Sequence, residues 1–183
     1  MQTTKLAEVK IITPKIFTDA RGFFFESYQL QHYHEFGITK EFVQDNFSRS
    51  CYGALRGLHY QLHFPQAKLI TVTRGKIFDV VVDLRKKSPT FAQWKSVILS
   101  EKNCYQIYIP AGFAHGFCVL SETADIYYKC TDYYHPEDEH GIIWNDPTLA
   151  IAWPQLSIAP LVSAKDTANM LLSNIKNELL PEM

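Results

Sequence analysis

The stretch KLITVTRGKIFDVVVDL, residues 68–84, contains two apolar, β-rich runs on either side of one glycine. Both runs are rich in β-branched residues, which are typical of strands. Arg74 and Gly75 lie between the runs, and a glycine at such a place is typical of the tight turn of a β-hairpin. The stretch therefore predicts two antiparallel strands joined by a hairpin turn.

Short runs of the same kind continue along most of the chain, from residue 9 to about residue 154. They recur at about ten-residue spacing, with turn signals between them. So many strands, with so few helical segments between them, exclude an open α/β layout and predict an all-β antiparallel sandwich or barrel. The runs are VKIITPKIF, GFFFESY, EFVQDNFS, ALRGLHYQ, KLITVTRG, KIFDVVVDL, WKSVILS, CYQIYIP, GFCVL, DIYYKCTDYY and IIWN.

Two segments have a helical pattern. The first is short, near residues 29–37, and ends at Gly37. The second, SAKDTANMLLSNIKNELL at residues 163–180, predicts a C-terminal helix. Ser163 followed three residues later by Asp166 resembles a capping box, although Glu or Gln is the usual partner at the last position.

The length and composition predict one domain over residues 1–183. Eighteen Lys and Arg against nineteen Asp and Glu give a formal net charge of -1, which favours neither nucleic acid nor a membrane as a partner. No apolar stretch has the length of a signal-peptide core or of a membrane span, so we expect a cytoplasmic protein. The four cysteines form no C-x-x-C pair, which favours reduced, mostly buried thiols.

The segment PAGFAHGF, residues 110–117, resembles the second motif of the cupin superfamily, which comprises small jelly-roll β-barrels that often bind a metal. A metal site here would require His59, His63 and His115 to gather around one ion. Where cupins have an acidic ligand, this chain has Lys68, and an ammonium group cannot ligate a cation. We therefore expect no metal and no other cofactor, and we keep a metal-dependent cupin enzyme as the less favoured alternative.

A histidine, a tyrosine and a lysine in one apolar barrel favour proton transfer instead. Neutral imidazole is a base near pH 7, and a phenol can return a proton. Removal of a proton next to a ketone leaves an enolate, whose oxygen needs a cation or a hydrogen-bond donor such as Lys68. A base on one face of the carbon and an acid on the other would invert that carbon, which is epimerisation.

Nine ordered blocks of the sequence, from about residue 9 to residue 166, resemble the dTDP-4-dehydrorhamnose 3,5-epimerase family. The resemblance implies a homodimeric jelly-roll cupin that binds no metal and inverts C3 and C5 of dTDP-4-dehydro-6-deoxy-D-glucose, on the way to dTDP-L-rhamnose. Relatives that invert one carbon of related dTDP-4-keto-6-deoxy sugars share this pattern, so a 3-epimerase or 5-epimerase stays open. The blocks are DARGFFFESY, EFVQDN, LRGLHYQ, QAKLI, GKIFDVVVDLRKKSPTF, IPAGFAHGF, DIYYK, DYYHPEDEHGI and SAKD.

The resemblance also implies roles for individual residues. His59 becomes the proton acceptor, oriented by Asp166, and Tyr128 becomes the proton donor. Lys68 and His115 line the sugar and stabilise the developing enolate. The residues implied to contact the nucleotide and its diphosphate are Arg21, Glu26, Gln44, Asp45, Asn46, Arg56, Glu139 and Lys165, with Tyr134 stacked on the thymine ring.

The residues alone leave two of these roles open. Tyr127 and Tyr128 are adjacent, so alternation sends their side chains to opposite faces, and only the resemblance selects Tyr128. Asp166 either orients His59 or only takes part in capping the C-terminal helix.

The segment LRGLHYQ, residues 55–61, poses a problem of parity. Arg56 and His59 are three residues apart, so a regular strand would send their side chains to opposite faces, yet both are implied to lie at the ligand. A bulge or bend at Gly57 would reset the alternation. We therefore predict a backbone irregularity at or near Gly57.

Overall fold

Strands form most of the regular structure of this protein. The computed structural model describes residues 2–3 and 6–182. Its strands are β1 (Gln2–Thr3), β2 (Lys10–Ile12), β3 (Phe17–Asp19), β4 (Gly22–Phe24), β5 (Gln44–Cys51), β6 (Ala54–Gln61), β7 (Lys68–Arg74), β8 (Lys76–Asp83), β9 (Trp94–Ser100), β10 (Gln106–Ile109), β11 (Phe113–Val119), β12 (Thr123–Cys130), β13 (Glu139–Gly141) and β14 (Leu161–Val162).

The strands form two large sheets and one small hairpin. The first sheet has the order β1-β2-β10-β7-β12-β5, and the second has the order β13-β6-β11-β8-β9. Strand β14 pairs with β6 in parallel, whereas the other pairs in these sheets are antiparallel. Strands β3 and β4 pair only with each other.

A buried apolar core joins the two large sheets face to face. Ile70 and Ile126 of the first sheet share one cluster with Val81 and Phe117 of the second sheet. Burying such side chains between two layers provides the main driving force for a sandwich of this kind. The predicted all-β antiparallel sandwich is therefore confirmed.

The stretch at residues 68–84 forms two strands, as predicted, but they do not form a hairpin. Strand β7 pairs with β10 and β12 in the first sheet, and β8 pairs with β9 and β11 in the second. Gly75, with a φ of +79°, turns the chain from one layer to the other. Val72 and Ile77 on either side of it enter the same core cluster, so the two strands bury their apolar side chains facing each other across the core. The predicted hairpin pairing is wrong for this reason.

The predicted length of the C-terminal helix is also wrong. Helix α2 spans only Ala164–Thr167, and 3-10 turns follow at Leu172–Asn174 and Asn177–Leu179. The backbone N–H of Leu172 donates to the Asp146 carboxylate at 2.7 Å instead of continuing a helix. Leu172 and Ile175 pack with Leu58 in a second cluster, against the side of the second sheet that faces away from the first. Tertiary packing of these apolar residues outweighs their helical period.

The remaining segments follow the predictions more closely. Helix α1 spans Leu30–Glu35, within the predicted range, and the chain leaves it at Gly37 with a φ of +75°. The predicted strand IIWN is absent among the described residues, where Ile142 makes one isolated bridge to Met170 after β13 has ended. No helix in the described part of the chain is long and apolar enough to cross a membrane.

Candidate active site

Side chains from both large sheets line a cavity of about 370 Å³, a size suited to a small-molecule ligand. Nine of the residues predicted for the site line it: Gln44, Asn46, Arg56, His59, Lys68, His115, Tyr128, Tyr134 and Glu139. Seven of these lie on the strands β5, β6, β7, β11 and β12, so rigid elements hold most of the polar groups.

His59 on β6 and Asp166 in α2 form a hydrogen-bonded pair beside the cavity. The His59 Nε2 lies 2.5 Å from the Asp166 Oδ1, and the Asp166 Oδ2 accepts the backbone N–H of Gly57 at 3.2 Å. Asp166 is 3% exposed. Burial acts to raise the pKa of the Asp166 carboxyl, but the hydrogen bonds from His59 and Gly57 outweigh it and hold that pKa below its ordinary value. The carboxylate is therefore ionised at neutral pH.

The side chain that caps the N-terminus of α2 is that of Ser163, not that of Asp166. Ser163 Oγ accepts the backbone N–H of Asp166 at 3.0 Å. The Asp166 carboxylate bonds His59 and Gly57 and does not accept the backbone N–H of Ser163, as the acidic residue of a reciprocal capping box would. Of the two interpretations left open by the sequence, the geometry favours the one in which Asp166 orients the imidazole.

Gly57 explains how Arg56 and His59 reach one cavity. Gly57 has a φ of +108°, and the pairing of β6 with β11 shifts register between His115 and Phe117, opposite Gly57. A Cβ atom at Gly57 would lie 2.6 Å from the Gly116 Cα, so the close approach of the two strands requires glycine. The predicted irregularity is confirmed.

Alternation along β12 separates the two adjacent tyrosines. Tyr128 lines the cavity, whereas the Tyr127 hydroxyl donates to Asp45 Oδ2 at 2.7 Å on the other face of the sheet. Burial raises the pKa of the Tyr128 phenol, so the phenol holds its proton at neutral pH. A protonated phenol in the cavity is suited to donate a proton.

The same alternation separates the three polar residues that begin β5. Gln44 and Asn46 line the cavity, but Asp45 between them points to the outer face, where its carboxylate pairs with the Lys129 ammonium at 2.8 Å. The structure does not bring Asp45 together with its two neighbours, because a strand sends successive side chains to opposite faces.

Lys68 and His115 contribute nitrogen groups to the cavity. Burial lowers the pKa of the Lys68 ammonium. The His115 Nε2 lies 2.8 Å from the Oδ2 of Asp79, a fully buried residue on β8. A second histidine–aspartate pair therefore borders the cavity, on the strand next to the one that carries His59.

Three residues predicted to contact the nucleotide form a connected group beside His59. The Tyr134 hydroxyl donates to Glu139 Oε2 at 2.9 Å, and the Lys165 ammonium pairs with the same carboxylate. The Glu139 Oε1 lies 3.6 Å from the His59 Nδ1. Burial acts to raise the pKa of Glu139, but its bond to Lys165 and the proximity of His59 hold that pKa below its ordinary value. The Glu139 carboxylate is therefore charged and close to the imidazole.

Two more predicted residues, Arg21 and Glu26, lie away from the cavity and from the side chains that border it. Arg21 is at the turn between β3 and β4, where its guanidinium pairs with Asp19 at 2.6 Å. Glu26 follows β4 and pairs with His32 of α1 at 2.8 Å. The structure of one chain does not bring Arg21 or Glu26 to the other site residues.

The comparisons with known proteins agree on one family. The profile of the family described as dTDP-4-dehydrorhamnose 3,5-epimerase matches residues 3–174. This chain belongs to that family. The predicted family, the predicted fold class and the predicted enzyme class, an isomerase, are confirmed.

Individual relatives of the epimerase family cover most of this chain. The dTDP-6-deoxy-D-glucose-3,5-epimerase of Legionella pneumophila Philadelphia 1, solved with dTDP-4-keto-L-rhamnose, superposes with a TM-score of 0.96 at 57% identity, covering 99% of this chain and 96% of that one. The Pseudomonas aeruginosa enzyme is 55% identical over 91% of this chain and 93% of its own length. The Neisseria gonorrhoeae enzyme is 53% identical over 90% of this chain, which spans only 50% of that relative.

The three histidines that a metal-dependent cupin enzyme would need do not lie together in this fold. His63 lies outside the cavity, and its Nδ1 is 2.7 Å from the Asp138 carboxylate. His59 and His115 are each paired with a different aspartate, so the three histidines do not converge. Among the described residues, no group of three or more His, Cys, Asp or Glu side chains is arranged to hold a metal ion.

Several residues at the cavity of this epimerase are not among those predicted from the sequence. Ser48 lines the cavity and could have been found, because it continues the alternation of Gln44 and Asn46. Asp79 is a charged residue inside an apolar strand, which is also a visible signal. Gln61 has no such signal, since its amide is placed by hydrogen bonds to the backbone of a distant loop. Gln66 and Phe117 also line the cavity.

Proposed function

We propose that this enzyme inverts C3 and C5 of dTDP-4-dehydro-6-deoxy-D-glucose and forms dTDP-4-dehydro-L-rhamnose, a step in the biosynthesis of dTDP-L-rhamnose. The observation that carries the proposal is the placement of His59 on one sheet and Tyr128 on the facing sheet, with both side chains lining one cavity. A base and an acid that approach a sugar ring from opposite sides can remove a proton from one face and return one to the other.

The chemistry proceeds through an enolate. His59 accepts the proton from C3, the electrons of the broken C–H bond form a C3–C4 double bond, and the negative charge moves to the C4 oxygen. Lys68 and His115 stabilise that oxygen. The Tyr128 phenol then donates its proton to C3 from the opposite face, and exchange with solvent restores both groups. The same steps invert C5, which also lies next to the C4 ketone.

Asp166 supports the base in this scheme. Its ionised carboxylate holds the His59 Nε2–H, which leaves Nδ1 as the nitrogen that can accept a proton. The carboxylate also stabilises the imidazolium that forms when the proton is taken up.

The nucleotide half of the ligand needs local cations and an aromatic platform. Arg56 lines the cavity and Lys165 lies at its edge beside Glu139, and an Arg fork can bind a phosphate group bidentately. Tyr134 is 46% exposed, so one face of its ring is available to stack on thymine. Stacking of a base on an aromatic ring contributes about 1–3 kcal/mol in single-strand binders.

The proposal includes a homodimer, with the β3–β4 hairpin reaching a second copy of the chain. Phe23 and Phe24 of this hairpin are 62% and 69% exposed, which is unusual for a pair of large apolar side chains. In a dimer, Arg21 and Glu26 would extend from this region toward the cavity of the partner, which accounts for their distance from the cavity of their own chain.

The cellular location and the domain organisation stay predictions. All four cysteines are free, which supports a reducing compartment such as the cytoplasm. The single domain predicted for residues 1–183 is untested.

The experiment that tests the proposed reaction counts deuterons. The protein is incubated with dTDP-4-dehydro-6-deoxy-D-glucose in heavy water, and the product is analysed by mass spectrometry and by proton NMR. We expect one deuteron at C3 and one at C5. A deuteron at C3 alone would show a 3-epimerase, one at C5 alone would show a 5-epimerase, and no incorporation would refute the enzymatic proposal.

Two controls make the result specific. The variant His59→Ala should incorporate deuterium at least about 10²-fold more slowly than the wild type while binding the nucleotide dTDP as the wild type does. Treatment with a chelator, followed by metal analysis of the protein, should leave the wild-type rate unchanged. A rate that depends on a metal ion would support the metal-dependent alternative instead.

A further inference from the structure

Asp79 is a buried carboxylate to which the family resemblance assigns no role. It lies in the middle of β8 and is 0% exposed. Its Oδ2 lies 2.8 Å from the His115 Nε2, whereas its Oδ1, although buried, has no hydrogen-bond partner among the described residues. A carboxylate that is removed from water and only half satisfied destabilises a fold, so its presence needs an explanation.

Other buried carboxylates of this protein have an evident structural task, and Asp79 does not. Asp146 accepts three backbone N–H groups, including that of Leu172, and so ties two segments together. Asp83 binds the guanidinium of Arg85 and two hydroxyl groups in a loop. The only hydrogen-bond partner of the Asp79 side chain in the described part of the chain is His115, which lines the cavity. This difference indicates that Asp79 serves the site.

We propose that Asp79 is a positioning residue for the epimerisation, which holds His115 as an imidazolium with Nε2–H donated to Asp79 and Nδ1–H presented to the C4 oxygen of the sugar. The proposal rests on the proposed function, because Asp79 would give His115 its orientation and its charge in that reaction. In a neutral ring that donates Nε2–H to Asp79, Nδ1 carries no proton and cannot donate to an enolate oxygen. The negative charge of Asp79 is therefore the feature that converts His115 into a donor.

The surroundings of His115 support this charge state. Burial raises the pKa of the Asp79 carboxyl, whereas a positive charge on His115 and the hydrogen bond from its ring, with Nε2 2.8 Å away, act in the opposite direction and favour the carboxylate. His115 is the register partner of His59 on the adjacent strand, so two histidine–aspartate pairs lie side by side. The other titratable or charged groups that line the same cavity are Arg56, His59 and Tyr60 on β6, Lys68 on β7, Tyr128 on β12, Tyr134 before β13 and Glu139 on β13.

The two histidine–aspartate pairs then have complementary tasks. His59 must be neutral to accept a proton from carbon, whereas His115 must be charged to donate a hydrogen bond to oxygen. The negative charge beside His115 is that of Asp79, whose side chain has no arginine or lysine within hydrogen-bond distance among the described residues. The Lys68 charge also acts on Asp79 and favours its carboxylate form, which is the form that stabilises an imidazolium.

The variant Asp79→Asn tests the charge and preserves the shape. The amide oxygen of the new side chain can still accept Nε2–H, so the ring stays in place but becomes neutral. We expect kcat to fall by about 10²-fold, the effect of losing one oxyanion donor, with KM changed by less than about threefold. Asp79→Asn combined with His115→Asn should be no slower than His115→Asn alone. The matched control is Asp146→Asn, which removes a buried carboxylate outside the cavity and should lower the melting temperature without lowering kcat.

Nitrogen-15 NMR of the wild-type protein keeps the proposal testable if Asp79→Asn does not fold. The His115 ring signals are assigned by their loss in His115→Gln, and at pH 7 both ring nitrogens should carry protons. A His115 ring with one proton would overturn the proposal, and so would an Asp79→Asn variant with the wild-type kcat. A wild-type protein that incorporates no deuterium into the sugar would instead refute the proposed function.

Discussion

Asp166→Asn is the most direct test of the His59–Asp166 pair. The substitution removes one negative charge and keeps the size of the side chain. The amide group that replaces the carboxylate can donate its own N–H to the His59 Nε2, which would move the ring proton to Nδ1. Since Nδ1 is the nitrogen left free to accept a proton in the wild type, the variant loses both the charge and the correct tautomer.

The size of the effect follows from the bond that is lost. The two groups are 2.5 Å apart, and the Asp166 side chain is 4% exposed, so this is a buried, charge-assisted hydrogen bond. Such bonds contribute about 1.5–3 kcal/mol, and at 1.36 kcal/mol for each factor of ten we expect kcat to fall by about 10- to 150-fold. Loss of the base itself in His59→Ala should cost more, about 10²- to 10⁴-fold.

The assay is the initial rate of deuterium incorporation into dTDP-4-dehydro-6-deoxy-D-glucose at saturating substrate. Ser163→Ala serves as the comparison, because it removes the side chain that caps α2 and leaves the Asp166 carboxylate intact. This variant should lose about 1 kcal/mol of stability, with a smaller loss of kcat than Asp166→Asn. Equal losses of kcat in the two variants would refute the reasoning, since Asp166 would then act only through the local structure of the helix.

Three further predictions concern the strands and one buried ion pair. Tyr128→Phe should lower kcat by about 10²- to 10⁴-fold, whereas Tyr127→Phe on the outer face should stay within about twofold of the wild type; the ratio of the two rates is the readout. Gly57→Ala should cost at least about 1–3 kcal/mol in urea unfolding and lower kcat, because its Cβ would overlap the neighbouring strand; an unchanged unfolding midpoint would contradict this. Burial acts to raise the pKa of Asp83, but its bonds, chiefly to Arg85, hold that pKa below its ordinary value, so the stabilisation is present above about pH 4 and lost as the pH falls through the lowered value. Asp83→Asn should therefore destabilise the protein by about 3 kcal/mol at pH 7, and the difference from the wild type should shrink as the pH is lowered below about 4, as measured by unfolding over a series of pH values.

The strands were predictable because their signal is local. Alternation of apolar and polar residues and the turn residues between runs lie within about ten positions, and they give most of the strands of both sheets. Pairing partners were not predictable in the same way. The run before Gly75 and the run after it have the pattern of a hairpin, yet they enter different sheets, because that arrangement lets Val72 and Ile77 face each other across the core.

The C-terminal segment shows the same limit. Its apolar residues recur with a helical period, but the helix ends after one turn. Leu172 and Ile175 bury their side chains against the second sheet, and Asp146, far away in the sequence, accepts the backbone N–H of Leu172. The contacts that decide this conformation come from residues that local periodicity does not include.

The sequence by itself determined the strand content, the family resemblance and the identity of most cavity residues, because residue type and order contain this information. It also predicted the irregularity at Gly57, since two side chains three residues apart could serve one ligand only if the strand changed its alternation. The tertiary structure decided that Tyr128 and not Tyr127 faces the cavity and that Ser163 leaves the Asp166 carboxylate free for His59. It also decided that the Asp79 carboxylate is hydrogen-bonded to the His115 ring. These are relations between strands and layers distant in the chain, and only the packing of two sheets across one core sets their distances.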